Sequence, residues 1–79
     1  MVTVNFYAAA KAATGVTEDT FSPGSLAKVI SAASLKYPKL VSILPGCSYL
    51  INGLSTVRLD VEVESGDVVD VLPRFAGGA

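Results

Sequence analysis

Apolar and polar residues alternate at the start of the chain. Val2, Val4 and Phe6 fall on one side of an extended segment, and Thr3, Asn5 and Tyr7 on the other. A period of two predicts a half-buried strand. From Tyr7 to Thr14 the chain is rich in alanine, which predicts a short helix ended by Gly15, where a left-handed cap is wanted. Val16 to Phe21 is a second strand candidate, more polar and therefore suited to a sheet edge. Ser22-Pro23-Gly24 then breaks the pattern.

Beyond that break the period changes to that of a helix. Leu26, Val29, Ile30, Ala33 and Tyr37 lie at i, i+3, i+4, i+7 and i+11, a single apolar stripe. Ser25 precedes it as a candidate N-cap, and Pro38 stops it. Lys39 to Leu44 predicts one more helical turn before Pro45-Gly46.

The second half returns to strands. Cys47 to Ile51 predicts one, and Asn52-Gly53 is a strong short hairpin signal. Val57 to Val63 alternates strictly, with Val57, Leu59, Val61 and Val63 on one side; only part of this run is expected to form a regular strand. Ser65-Gly66-Asp67 predicts a turn and Val68 to Leu72 the last strand. There Asp70 must face water, so Val69 and Val71 point inward. Val68 and Leu72 then share the outer face with Asp70, an exposed apolar pair that suits docking to a partner. Strands with one good helix set to one side predict an α+β fold, a small mixed sheet with the main helix packed across it.

Composition narrows the chemistry. A chain of 79 residues is one domain near the lower limit for folding without staples, and 51% apolar residues argue for a compact globule. Six basic and seven acidic residues leave a net charge of −1 with no basic stripe, so no nucleic-acid partner is expected. Cys47 is the single cysteine and histidine is absent, which removes intrachain disulfides, the usual zinc sets and histidine-based triads. No bound cofactor or metal is expected. Ala8 to Ala13 is too short for a membrane span and is interrupted by Lys11, so the reading is a cytoplasmic protein with no membrane contact. Cys47 reads as a structural thiol, because no cationic neighbour would lower its pKa. Asp60, Glu62 and Glu64 read as a solvated face, and Lys11, Lys28, Lys36 and Lys39 as surface lysines.

The remaining signal is Pro73-Arg74-Phe75-Ala76-Gly77-Gly78-Ala79. Two adjacent glycines lack Cβ atoms and can enter a slot too narrow for any side chain. Such a tail suits a protein whose own main-chain carboxyl is the reacting group. Phe75 is a large aromatic with little of its own domain within reach, hence a candidate anchor in a partner pocket. Arg74 either meets a partner carboxylate or serves as a solvated charge.

Taken in order, Val4-Asn5-Phe6-Tyr7-Ala8, Ile51-Asn52-Gly53, Ser65-Gly66-Asp67-Val68-Val69, and Leu72-Pro73 through Gly77-Gly78 resemble the ubiquitin-like sulfur carriers, in particular the small subunit of molybdopterin synthase. The resemblance implies a β-grasp domain over residues 1–73 and a flexible diglycine tail over 74–79. It implies a non-catalytic subunit whose terminal glycine is adenylated by an ATP-dependent activating enzyme and converted to a thiocarboxylate. Sulfur then passes, inside the large subunit of the synthase, to a pyranopterin precursor of the molybdenum cofactor. Gly78 would carry the sulfur supplied by a donor and Gly77 would give clearance. Pro73, Arg74, Phe75 and Ala76 would line the path, with Val68 and Leu72 on the docking face. Members of this type end at the second glycine, whereas this sequence continues to Ala79: either a protease trims it, or Ala79 is foreign to the natural chain, or this member is inactive as it stands. Carriers for thiamine thiazole or cysteine synthesis and ubiquitin-like protein modifiers are the alternatives.

Overall fold

The computed structural model describes residues 1–74. β1 (Val2–Phe6) buries Val2, Val4 and Phe6 as the alternation predicts. Helix α1 (Ala8–Thr14) follows without a loop, and its C-cap Gly15 is left-handed at φ 76°, its N–H donating to the Lys11 carbonyl at 2.7 Å. The junction is tight enough to put Ala8 at φ 49°, a conformation costing an alanine roughly 1–2 kcal/mol. β2 (Glu18–Phe21) is shorter than the predicted Val16–Phe21 and is indeed an edge strand.

β3 (Gly24–Ser25) leads into α2 (Leu26–Lys36), which buries Leu26, Val29, Ile30 and Ala33, with Tyr37 partly buried beyond its end. The expected further turn is present as two short 3-10 segments, Pro38–Ser42 and Leu44–Gly46. β4 (Cys47–Ile51), β5 (Leu54–Thr56), β6 (Glu62–Val63) and β7 (Val68–Pro73) complete the chain. Asn52 and Gly53 both have positive φ, 50° and 82°, as a tight two-residue hairpin turn requires.

The main sheet runs β2-β1-β7-β4-β5, and β3 and β6 form a separate pair. β1 and β7 are parallel at the centre; the other pairs are antiparallel. α2 lies on the inner face, where Val69 and Val71 of β7 are fully buried beneath it. This is the α+β architecture with a mixed sheet and one main helix that the periodicities imply.

Only part of the alternating Val57–Val63 run is regular strand, as expected, namely Glu62–Val63: Val63 is buried, but Val57 is 95% and Leu59 48% exposed. The reason is where the backbone hydrogen bonds go. The Leu26 N–H donates to the Val61 carbonyl at 2.8 Å and the Ala27 N–H to the Leu59 carbonyl at 2.9 Å. Ser25 Oγ accepts from the Lys28 N–H at 3.2 Å. The first N–H groups of a helix have no intrahelical partner. Here the carbonyls of residues 59 and 61 supply one, so this stretch is tied to the start of α2 instead of running on as a strand of the main sheet.

Lys36 is likewise more than a surface lysine. Its Nζ lies 2.7 Å from Asp19 Oδ2, which also accepts from the Tyr37 hydroxyl. The Tyr37 ring meets Phe6 edge-on at 5.9 Å. This cluster clamps the end of α2 to β2. Hydrogen bonding from Lys36, then Tyr37, lowers the Asp19 pKa to about 2.

Candidate functional site

The site begins where β7 ends. Pro73 is the last residue of β7 and pairs with Cys47; the Arg74 N–H then donates to the Gly46 carbonyl at 2.8 Å. That bond fixes the root of the tail against the turn preceding β4. Phe75, Ala76, Gly77 and Gly78, expected to anchor and to react, lie outside the described residues, as does the flexible tail expected from 74 onward apart from Arg74. The Arg74 side chain is exposed.

On the outer face of β7, Val68, Asp70 and Leu72 alternate with the buried Val69 and Val71, as the position of Asp70 requires. Register brings Leu50 opposite Asp70 and Ser48 opposite Leu72, so Leu50 joins the apolar pair on this face. Asp70 is not a free charge. Its Oδ1 accepts from Asn5 Nδ2 at 3.0 Å and from the Tyr7 hydroxyl at 3.4 Å. The result is a half-buried surface of Val68, Leu50 and Leu72 around one satisfied carboxylate. Sequence alone missed Leu50 and the Asn5–Asp70–Tyr7 contacts, since both depend on which residues stand opposite one another.

The turn that sets this face is also built from side chains. Asn52 Oδ1 accepts from the Val68 N–H at 2.9 Å, and its Nδ2 donates to Asp67 Oδ1 at 3.0 Å. Asp67 Oδ2 accepts the Glu64 N–H at 2.8 Å. Those two interactions hold the Asp67 carboxyl below its ordinary pKa, Asn52 first. The start of β7 is therefore stitched to the β4–β5 hairpin.

Behind the tail root lies a groove of about 450 Å³ that includes Leu44, Pro45, Cys47, Tyr49, Val57 and Leu59, with Arg74 at its rim. Cys47 is half-buried, its Sγ donating to the Ile43 carbonyl at 3.3 Å, and burial pushes its thiol pKa up. A raised pKa is the opposite of what a sulfur nucleophile requires, which agrees with reading Cys47 as structural. Asp60 forms a bidentate pair with Arg58, at 3.1 and 2.8 Å, and Glu62 and Glu64 are exposed. Among the described residues no group of three or more acidic, cysteine or histidine side chains is placed to hold a metal ion. Nor is any described helix long and apolar enough to cross a membrane.

A family model matches residues 4–78, from the first strand through the second glycine of the tail. The chain belongs to the ThiS family. It is a ubiquitin-like sulfur carrier, of a kind that is generally non-catalytic. No curated protein matches it.

Among solved structures, small archaeal modifier protein 1 from Methanosarcina acetivorans is similar at TM-score 0.87 and 23% identity, covering 98% of this chain and 95% of that one. A chain of the BexX/CysO complex from Amycolatopsis orientalis gives TM-score 0.84 at 20% identity, over 99% and 100%. The protein–protein complex of subunits 1 and 2 of molybdopterin-converting factor from Helicobacter pylori contains a chain at TM-score 0.72 and 23% identity, over 98% and 97%. At such identities the likeness establishes the fold, and the fold of this ThiS-family chain is the β-grasp.

Proposed function

We propose that this carrier is the small subunit of molybdopterin synthase. The Gly78–Ala79 bond is hydrolysed first, freeing the Gly78 carboxylate. In an activating enzyme a carboxylate oxygen attacks the α-phosphorus of ATP, and pyrophosphate leaves. Hydrosulfide from a sulfur donor then attacks the acyl carbon, AMP leaves, and Gly78 carries a thiocarboxylate. Within the large subunit that sulfur is passed to a pyranopterin precursor, and water restores the carboxylate.

The chain itself supplies reach, clearance and docking. ATP is consumed by the partner, and the carrier binds no cofactor of its own. Gly77 and Gly78 fit a narrow channel. Pro73, Arg74, Phe75 and Ala76 line the path, and Val68 and Leu72 seat the large subunit. The single observation that carries this reading is the diglycine, three and four residues past a tail root fixed at Arg74–Gly46, beside the half-buried Val68 and Leu72. The two-subunit complex from Helicobacter pylori supports a second protein chain as the recipient.

A second reading is a protein modifier, whose Gly78 ends in an isopeptide bond to a lysine. The likeness to small archaeal modifier protein 1 favours it. Delivery into thiamine thiazole or cysteine synthesis is the further alternative, and the BexX/CysO complex keeps such another sulfur route in view.

The test uses a chain ending at Gly78, mixed with an activating enzyme, ATP and sulfide. Its mass should rise by the exchange of one oxygen for sulfur, and adding the large subunit with precursor should return the carboxylate and yield a dithiolene. Failure to load removes the carrier chemistry; loading without delivery to the pterin removes the pathway. Gly78→Leu should abolish transfer with an unchanged melting temperature, and normal transfer by that variant would disprove the clearance argument. Phe75→Ala should weaken binding to the large subunit by about 1–2 kcal/mol.

A further inference from the structure

Charge is segregated along this chain. Between Asp19 and Asp60 there is no acidic residue, only the cations Lys28, Lys36, Lys39 and Arg58. From Asp60 onward the acids Asp60, Glu62, Glu64, Asp67 and Asp70 stand against Arg74 alone. The fold uses part of this charge, tying Lys36 to Asp19 and Arg58 to Asp60. Among the described residues Lys28, Lys39, Glu62 and Glu64 have no ion-pair partner, and all four are exposed.

The two free cations accompany an apolar surface. Lys28, Ser31 and Leu35 stand at i, i+3 and i+7, one stripe on the solvent side of α2. Leu35 is 83% exposed, and Val41, two residues beyond Lys39, is 58% exposed. Leu35 and Val41 line a hollow of about 430 Å³ together with Ile30, Ser34 and Leu44. Apolar residues gathered in the open like this mark a contact surface.

The two free acids have apolar neighbours of their own. Glu62 and Glu64 follow directly on the loop that carries the exposed Val57 and Leu59. That segment is braced. The Leu59 and Val61 carbonyls are bound by the first N–H groups of α2, and Glu62 and Val63 pair with Ser25 and Gly24. Little ordering entropy therefore remains to be lost when it is covered. The same bonds make the two surfaces neighbours, because the acidic segment is anchored to the turn of α2 that includes Lys28.

Each surface supplies what the other lacks. We propose that the α2 surface is covered by a second copy of this chain. Leu35 and Val41 of one copy pack on Val57 and Leu59 of the other, with Lys28 and Lys39 facing Glu62 and Glu64. Because the two surfaces adjoin on each copy, a two-fold axis lets both contacts form at once and closes a dimer. Val68, Leu50 and Leu72 take no part, so the dimer leaves the outer face of β7 uncovered.

The experiment is sedimentation velocity on the full chain from about 10 µM to about 1 mM, a range suited to a small interface. Wild type should move from monomer to dimer as concentration rises, and back toward monomer when added salt screens the charges. Lys28→Glu combined with Lys39→Glu should weaken dimerisation about tenfold, because acid then meets acid. Glu62→Lys combined with Glu64→Lys should do the same from the other side. An equimolar mixture of these two double variants should dimerise as wild type does, and Leu35→Ser should weaken association several-fold. All these sites are exposed, so melting temperatures of the dilute chains should match wild type. Wild type that stays monomeric to about 1 mM would overturn the proposal. So would dimerisation untouched by both charge reversals, or a mixture of the two variants that stays monomeric.

Discussion

The two flanks of the sheet's inner face begin from the same kind of sequence and end differently. On the β2–β1–β7 flank, alternating apolar residues are sealed: Val2, Val4, Val69 and Val71 are fully buried, and Phe21 nearly so. On the β4–β5 flank, Tyr49 and Ile51 are only partly covered and Leu54 is 75% exposed. What differs is the lid. α2 closes the first flank with Leu26, Val29, Ile30 and Ala33, and the Asp19–Lys36–Tyr37 cluster fastens its far end. The second flank gets a loop whose carbonyls are committed to capping that same helix. Alternation marks a surface able to be buried; which surface is buried depends on the length of the element laid over it.

The contrast can be broken from either side. The largest effect belongs to the sealed flank: Leu26→Ala, at a fully buried site, should cost about 3 kcal/mol in urea unfolding. In a domain this small that is a large share of the total stability. A loss below about 1 kcal/mol would mean that α2 is not the lid.

Asp19→Asn tests the fastening and should cost about 1 kcal/mol at neutral pH, a modest value because Lys36 is well exposed. The pH dependence has a defined sign. The folded pKa of Asp19, about 2, lies below its ordinary 3.8. Its contribution is thus complete above pH 4 and lost as pH falls toward 2. Wild type should therefore lose more stability than Asp19→Asn between pH 4 and pH 2, and parallel losses would show that other carboxylates govern the acid limb.

The smallest effect belongs to the open flank. Leu54→Ser and Val57→Asp should each change unfolding stability by no more than about 0.5 kcal/mol. A larger loss would show that this flank is closed in solution.

Much of the fold was legible because local rules and tertiary packing agree. The β1 alternation, the α2 stripe behind Ser25, and Asn52-Gly53 each specify a structure from neighbouring residues alone. Asp70 fixed the facing of β7 for the same reason, and with it the outward Val68 and Leu72. Which part of the run from Val57 to Val63 becomes strand was not readable locally, because a distant event decides it, the capping of Leu26 and Ala27. Ala8 at positive φ was also hidden, since alanine carries no signal for that conformation. Of the site, the apolar pair was readable from parity, whereas Leu50 and the groove required knowing which strands are neighbours.

The central ladder joins the two extremes of the domain: Asn5 and Asp70 stand opposite each other although they are 65 positions apart. Closing so large a loop costs about 4 kcal/mol of chain entropy before the pairing returns anything. Folding during synthesis must accordingly wait until β7 has left the ribosome, and the tail is made directly after β7. A chain cut short before residue 68 would lack the middle of its sheet. Completion of the fold thus acts as a length check, withholding a compact carrier from any product that stops before β7 is made.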